Sequence, residues 1–285
     1  MDYDSALLER VAQRFRRDMW KSVVPEAVTE SGVQMARFGA VQATVFGDLP
    51  EERLLHRVQG AAEPGATGCG HLARAVEWMR TWEVDYQVPV AKDRPGAAEA
   101  EVWLGDHGFE RDRCSIKLVR AAAPPPWPED SGVRVYELGL EEVDGEGLST
   151  IVTEAMDLPC TVGTLLFSLP QEPGWRCYTA AVDPEEGVVA TAAMMISEGV
   201  AQLGLAATLP HARGLGCNRA LLRRRLLDAI EAGCHTVFAE LNEDAADRGS
   251  SAYRNLRSAG FEEAYESHIW QRPALHPAEW PESVW

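Results

Sequence analysis

The sequence predicts an α/β chain of 285 residues built as two halves, each a mixed, mostly antiparallel sheet flanked by helices. Three observations carry that prediction. A proline-rich stretch divides the chain, the two sides repeat one order of elements, and apolar residues recur at strand and helix periods. Four prolines between residues 124 and 128 fit neither a helix nor a central strand, so 123–131 reads as an extended linker. That leaves 1–122 and 132–272 as two domains, each long enough for one core, and 273–285 as a tail.

In the first half, Leu7, Leu8, Val11, Phe15 and Met19 repeat at helical spacing and predict a helix over 5–19. Alternating runs at 33–38 and 41–46, then 54–58, predict three strands. A helix over 72–82, a strand over 86–90, a helix over 97–106 and a strand over 115–119 complete this half.

The second half repeats the order. A strand at 133–138 is followed by helical stretches at 141–156 and 162–168. Runs at 176–182 and 188–196 form a hairpin around 183–187, and Glu198 with Gly199 turns the chain into a strand over 200–208. A helix over 217–232, a strand over 236–241, a helix over 250–259 and a strand over 265–270 follow. Gly108-Phe109 and Gly260-Phe261 close corresponding helices, an echo that points to duplication; glycine is the common residue at such helix ends.

Charge and cysteines narrow the classes of function. Forty-four acidic against 27 basic residues give a formal charge of −17, a field that repels nucleic-acid backbones and suits a cationic substrate such as an amine. No apolar run reaches the ~18 residues of a membrane span, and the amino-terminal residues lack the basic region of a secretory signal. The six cysteines form no C-x-x-C pair and the histidines no H-E-x-x-H, so no metal site is expected; free thiols fit a reducing cytoplasm.

The segment richest in chemistry runs from 204 to 222. A small-residue strand ends at Pro210, a turn carries Arg213, Gly214 and Gly216, and a helix begins near Cys217. Glycines let backbone N–H groups approach a ligand, and a helix start adds free N–H groups and partial positive charge, which together suit a pyrophosphate. A dinucleotide enzyme is disfavoured, because G-x-G-x-x-G is absent and a hairpin precedes the turn.

The run Arg213, Gly214, Leu215, Gly216, Cys217, Asn218 resembles the R/Q-x-x-G-x-G/A acyl-CoA motif of the GNAT acyltransferase superfamily. The second half resembles that family throughout. The first resembles a degenerate copy, since its turn at 60–70 lacks the spacing, so the chain is similar to tandem GNAT proteins. The resemblance implies acetyl-CoA, or another acyl-CoA, as co-substrate in the second half only. Pantetheine would lie along Leu205, Ala206, Ala207 and Thr208, and the pyrophosphate at Arg213, Gly214, Leu215, Gly216, Cys217 and Asn218. Small residues at Gly204, Ala206 and Ala207 leave room for it.

Two positions depart from the family pattern. Asn218 replaces the usual Gly or Ala, and Leu256 stands where many members have a tyrosine that protonates the leaving thiolate; Tyr253 is the substitute within reach. The candidate base is Glu240, whose half-apolar surroundings would raise its pKa, with Asp157 as the alternative on the acceptor side. The resemblance implies direct acyl transfer to a small-molecule amine. Open alternatives are a non-catalytic acyl-CoA sensor and a donor held on an acyl carrier protein.

Overall fold

The structure, a computed structural model, describes residues 3–21, 32–53, 55–127, 132–139, 145–156, 169–185, 187–241 and 248–272. In chain order its elements are α1 (Ser5–Lys21), β1 (Val33–Phe38), β2 (Val41–Phe46), β3 (Arg57–Gln59), α2 (His71–Arg80), β4 (Gln87–Ala91), α3 (Ala97–Asp106) and β5 (Glu110–Ala121). There follow β6 (Arg134–Glu137), α4 (Gly145–Met156), β7 (Trp175–Ala181), β8 (Ala190–Ser197), β9 (Val200–Thr208), α5 (Cys217–Glu231), β10 (Thr236–Leu241), α6 (Ser251–Ser258) and β11 (Glu262–Gln271). The mixed α/β class is as the sequence predicts. The helical stretch expected at 162–168 lies outside the described residues.

The chain divides into two compact units. One joins Met1–Thr29 to Ile116–Tyr265, the other Glu30–Ser115 to Glu266–Trp285. This division differs from the boundary expected at 123–131 in three segments. Residues 116–121 of β5 pair antiparallel with β10, from Ala121↔Thr236 to Ile116↔Leu241, and so complete the sheet of the first unit. Residues 267–271 of β11 pair antiparallel with β4, from Ser267↔Ala91 to Gln271↔Gln87, and complete the sheet of the second. Each strand is long enough to begin in one unit and end in the other, which local periodicity cannot register. The helix α1 also joins the first unit, its start capped by Asp4, whose Oδ1 accepts from the amides of Ala6 (2.9 Å) and Leu7 (3.1 Å).

In the first unit the sheet order is β5-β10-β9-β8-β7-β6, antiparallel except for the β10–β9 pair. One face packs Val237, Ala239 and Leu203 against Leu221, Leu222, Leu226 and Ala229 of α5 and against Leu256 and Phe261. The second unit runs β1-β2-β3-β4-β11, antiparallel except for β3–β4. Its core gathers Val41, Val58, Leu72, Met79, Val88, Val90 and Leu104. In both units a hairpin pair leads through a helix to a parallel strand.

The duplicated helix ends have the same geometry. Gly108 (φ 78°) and Gly260 (φ 85°) are left-handed, and the next amide reaches back, Phe109 N to Leu104 O at 3.0 Å and Phe261 N to Leu256 O at 3.1 Å. Such a bond satisfies a carbonyl that the helix end leaves open, and both phenylalanines are buried beneath it. No helix among the described residues is long and apolar enough to cross a membrane.

Candidate functional site

The site begins with a break in a ladder. β9 and β10 run parallel from Val200↔Thr236 to Leu203↔Ala239, where their pairing ends, although β9 continues to Thr208. On its other edge β9 carries a bulge: Ala193 faces Gly204 and Thr191 faces Ala207, so Leu205 and Ala206 oppose the single residue Ala192. Leu205 sits in the left-handed region at φ 50°, a conformation that costs an L residue about 1–2 kcal/mol. Arg225, buried on α5, donates through Nη1 to the carbonyls of Ala193 (3.2 Å) and Gly204 (3.4 Å), the pair beside the bulge. Burial brings its pKa down to about 10, which still leaves the guanidinium charged at neutral pH.

Beyond the bulge the chain makes the turn that the sequence singles out. Gly214 (φ 83°) and Gly216 (φ 90°) both require the left-handed region, and Gly216 is the N-cap of α5 with no side chain closing the helix start. Helix geometry leaves the amides of Cys217, Asn218 and Arg219 without acceptors inside the helix. Arg213 is tied down by hydrogen bonds from its guanidinium to the carbonyls of Thr208 (3.4 Å) and Ala155 (3.3 Å).

These pieces open onto one cleft of about 560 Å³. Ala206, Ala207, Thr208, Arg213, Gly214, Gly216, Cys217 and Asn218 line it, together with Met156 of α4 and Ser251 and Asn255 of α6. Of the residues expected to hold a donor, Leu205 and Leu215 are not among its lining; Leu215 projects outward, half exposed. Gly204 has a different reason for being small. A Cβ there would stand 2.4 Å from the Phe15 ring of α1, so this glycine makes room for a helix and not for a ligand. Cys217 is buried, and burial pushes its thiol up from its ordinary pKa, which makes it a poor nucleophile.

Asn255 was not anticipated. Its Nδ2 donates to Asn218 Oδ1 at 3.2 Å, joining the first turn of α5 to the second turn of α6 beside the cleft. The helical period of 251–258 would place Asn255 one turn beyond Ser251 on a shared face, the one signal in the sequence that could have found it.

The three expected catalytic residues fare differently. Glu240 is not part of the cleft lining. Its carboxylate meets Arg16 Nη2 at 3.3 Å and Lys117 Nζ at 3.5 Å, and Lys117 also reaches Glu9 at 2.6 Å. Burial works against the Lys117 ammonium, yet the Glu240 and Glu9 carboxylates outweigh it and hold its pKa above the ordinary lysine value. Two cations thus pair with Glu240, in place of the half-apolar surroundings expected around a base. Both cations come from elements distant in sequence, so the run around Glu240 does not reveal them.

Tyr253 donates its hydroxyl to Glu263 Oε1 at 2.6 Å, and this bond raises the phenol above its usual pKa. It too is not among the cleft-lining residues, and Leu256, where the sequence resemblance would expect a tyrosine, is buried in the core. Asp157 lies outside the described residues.

The corresponding turn of the second unit is closed on itself. The amides of Cys69, Gly70 and Leu72 donate to the carbonyls of Gly65 (3.0 Å), Thr67 (2.8 Å) and Ala66 (2.8 Å), so chain carbonyls occupy donors that a phosphate would need. Ala61, Ala62 and Ala66 are buried, and Ala62 O accepts from Gly96 N at 3.0 Å. Glu63 and Arg94 close the loop with a two-pronged ion pair at 3.0 and 2.9 Å.

No protein-family model matches the sequence. No curated protein matches it either. Solved structures do match. A GCN5-related N-acetyltransferase from Kribbella flavida is similar at 20% identity and a TM-score of 0.61, over 95% of this chain and 97% of that one. One from Sphaerobacter thermophilus matches at 20% identity and 0.59, over 83% and 78%. A tandem GNAT protein from the clavulanic acid biosynthesis pathway matches at 14% identity and 0.59, over 83% and 79%. With the broken β9–β10 ladder, the bulge and the glycine turn in place, these matches establish the architecture: the chain has the fold of the GCN5-related N-acetyltransferases, in its tandem form.

Proposed function

We propose that the protein is an acyl-CoA-dependent N-acyltransferase, with acetyl-CoA as donor and a small-molecule amine as acceptor, working through the first unit alone. The observation that carries this reading is the convergence on one cleft of the strand edge released beyond Leu203 and the open start of α5. The residues present fit such a donor. Gly214 and Gly216 hold left-handed backbone beside helix amides that nothing in the helix accepts, which suits a pyrophosphate. The backbone of 205–208 offers hydrogen-bonding groups to an extended pantetheine arm, as a strand edge does.

In this reading the donor supplies an activated thioester, and the protein orients the two reactants and polarises the thioester carbonyl through strand amides. The amine nitrogen attacks the carbonyl carbon, the carbon–sulfur bond breaks, and the amine loses its proton to a nearby acceptor or water. Glu240 remains a candidate for that acceptor only if its pairing with Arg16 and Lys117 opens; Asp157 is the alternative.

A second reading is a non-catalytic acyl-CoA-binding protein, and two observations favour it: Leu256 is buried where a proton donor to the leaving thiolate is usual, and Tyr253 gives its hydroxyl to Glu263. A donor held on an acyl carrier protein would present the same pantetheine arm. Incubation with acetyl-CoA and a panel of amines, following free thiol, separates these. Thiol release that depends on one amine supports the transferase. Calorimetric binding of acetyl-CoA without release for any amine supports the sensor, and release only from acyl-carrier protein supports the third.

A further inference from the structure

The second unit holds a set of donors that the acyl-transfer reading does not use. Glu266 and His268 lie two residues apart on β11 and so share one face, and Cys114 lies on the neighbouring strand β5. One ligand atom from each of Cys114, Glu266 and His268 lies within 4.8 Å of the other two, and all three residues are half-buried. The histidine ring is also fixed from behind. Its Nδ1 lies 2.5 Å from Glu101 Oε1, and Glu101 is in turn held by Lys92 Nζ at 3.1 Å from Oε2. That arrangement leaves Nε2 as the nitrogen for a ligand.

We propose that Cys114, Glu266 and His268 form a binding site for one divalent transition-metal ion of the zinc class, with Glu101 orienting the His268 ring. The donor chemistry selects the ion. A thiolate and an imidazole discriminate against magnesium and calcium, which take oxygen ligands, and one sulfur, one nitrogen and one oxygen suit tetrahedral zinc. Bonds of about 2.0–2.3 Å bring tetrahedral ligands to within about 3.5 Å of one another, so the side chains need to close by roughly an ångström. Three protein ligands leave a fourth position for water or another group. A carboxylate on the far nitrogen of a ligating histidine is the usual outer partner: it fixes the ring and increases its basicity. Metal binding at Cys114 releases its thiol proton, leaving the sulfur as thiolate. The spacing of these residues along the chain, 114 against 266 and 268, matches no sequence motif for a metal, which is why the sequence gives no hint of them.

The test uses the full-length protein stripped with a chelator and titrated with cobalt(II), whose spectrum reports thiolate ligation and coordination number. One equivalent is expected to bind with a thiolate-to-cobalt charge-transfer band and tetrahedral ligand-field bands, and zinc is expected to displace it. Cys114→Ser should abolish the charge-transfer band, and His268→Gln should weaken binding sharply. Glu101→Gln, which touches no metal, should retain the band and weaken affinity by about 10–100-fold, the usual effect of an outer partner. Cys69→Ser, a change at an exposed cysteine, should leave everything as in the wild type. Thermal melts with and without zinc show whether each variant folds, because an ion that binds only the native state raises its melting temperature. Absence of stoichiometric cobalt binding overturns the proposal, as does a charge-transfer band that survives Cys114→Ser in a folded variant.

Discussion

Arg225 donates to the carbonyl of Ala193 at 3.2 Å, and that bond stands at the point where β8 and β9 lose their regular register. A bulge leaves ladder groups unpaired, and a buried carbonyl without a donor costs about 1–3 kcal/mol. The guanidinium supplies that donor to Ala193 and to Gly204, so one side chain of α5 supports the irregularity that shapes the cleft.

Replacing Arg225 should therefore reach both stability and the site. Arg225→Met is expected to lower unfolding stability by about 2 kcal/mol in urea titrations, because one buried and one half-buried carbonyl lose their donor. Affinity for acetyl-CoA should fall with it. A variant as stable as the wild type would show that the bulge supports itself.

The strained residue within the bulge makes an independent case. Leu205→Gly is expected to leave the melting temperature unchanged or raised, since glycine adopts φ 50° freely. Leu205→Val should lower it, because a β-branched residue tolerates that region least. The reverse order would mean that the side chain matters more than the backbone.

Glu240 separates chemistry from structure. Glu240→Gln removes one of the two carboxylates beside the buried Lys117 and leaves Glu9 alone to balance Lys117 and Arg16, and a stability loss of about 3 kcal/mol is expected from the one charge left uncompensated. If the paired carboxylate is structural, turnover of the folded variant stays within a few-fold of wild type. A fall of about 10²–10⁴-fold with stability retained would instead identify Glu240 as the base.

His56 gives the second unit a pH dependence. Phe46 N donates to its Nδ1 at 3.2 Å, so the proton sits on Nε2 and is given to Leu49 O at 3.0 Å. Burial lowers its pKa below 6.5, and hydrogen bonding to the Leu49 carbonyl only partly opposes this. The unfolded chain then binds a proton before the folded one does. Stability is full above about pH 6.5 and is lost as pH falls from there through the folded pKa. Melting temperatures between pH 7.5 and 5 should show this slope, and His56→Asn should flatten it; an equal slope in both would assign the effect elsewhere.

Most of the fold was legible in the sequence because its signals are local. The alternation at 41–46, the hairpin before 200, the Gly-Phe helix ends and the glycine turn at 213–218 each specify their geometry within a few residues. The cleft was legible for the same reason, and Ala206, Ala207, Gly214, Gly216 and Asn218 do line it. The relationships across the chain were not. Phe15 against Gly204, Arg16 and Lys117 around Glu240, and the passage of β5 and β11 from one unit to the other depend on which distant segments meet. Gly204 shows the difference well: its smallness was visible, but the ring that demands it lies 189 positions earlier in the sequence, at Phe15.

Isothermal titration of the full-length protein with acetyl-CoA, beside Gly216→Val, tests the central claim most directly. One equivalent per chain is expected for the wild type, because the turn at 60–70 is closed by its own carbonyls. Gly216→Val, which cannot readily hold φ 90° at the start of α5, should bind at least tenfold more weakly while remaining folded. Two equivalents per chain, or unchanged affinity in a folded Gly216→Val protein, would contradict the assignment of the donor site to the cleft at α5.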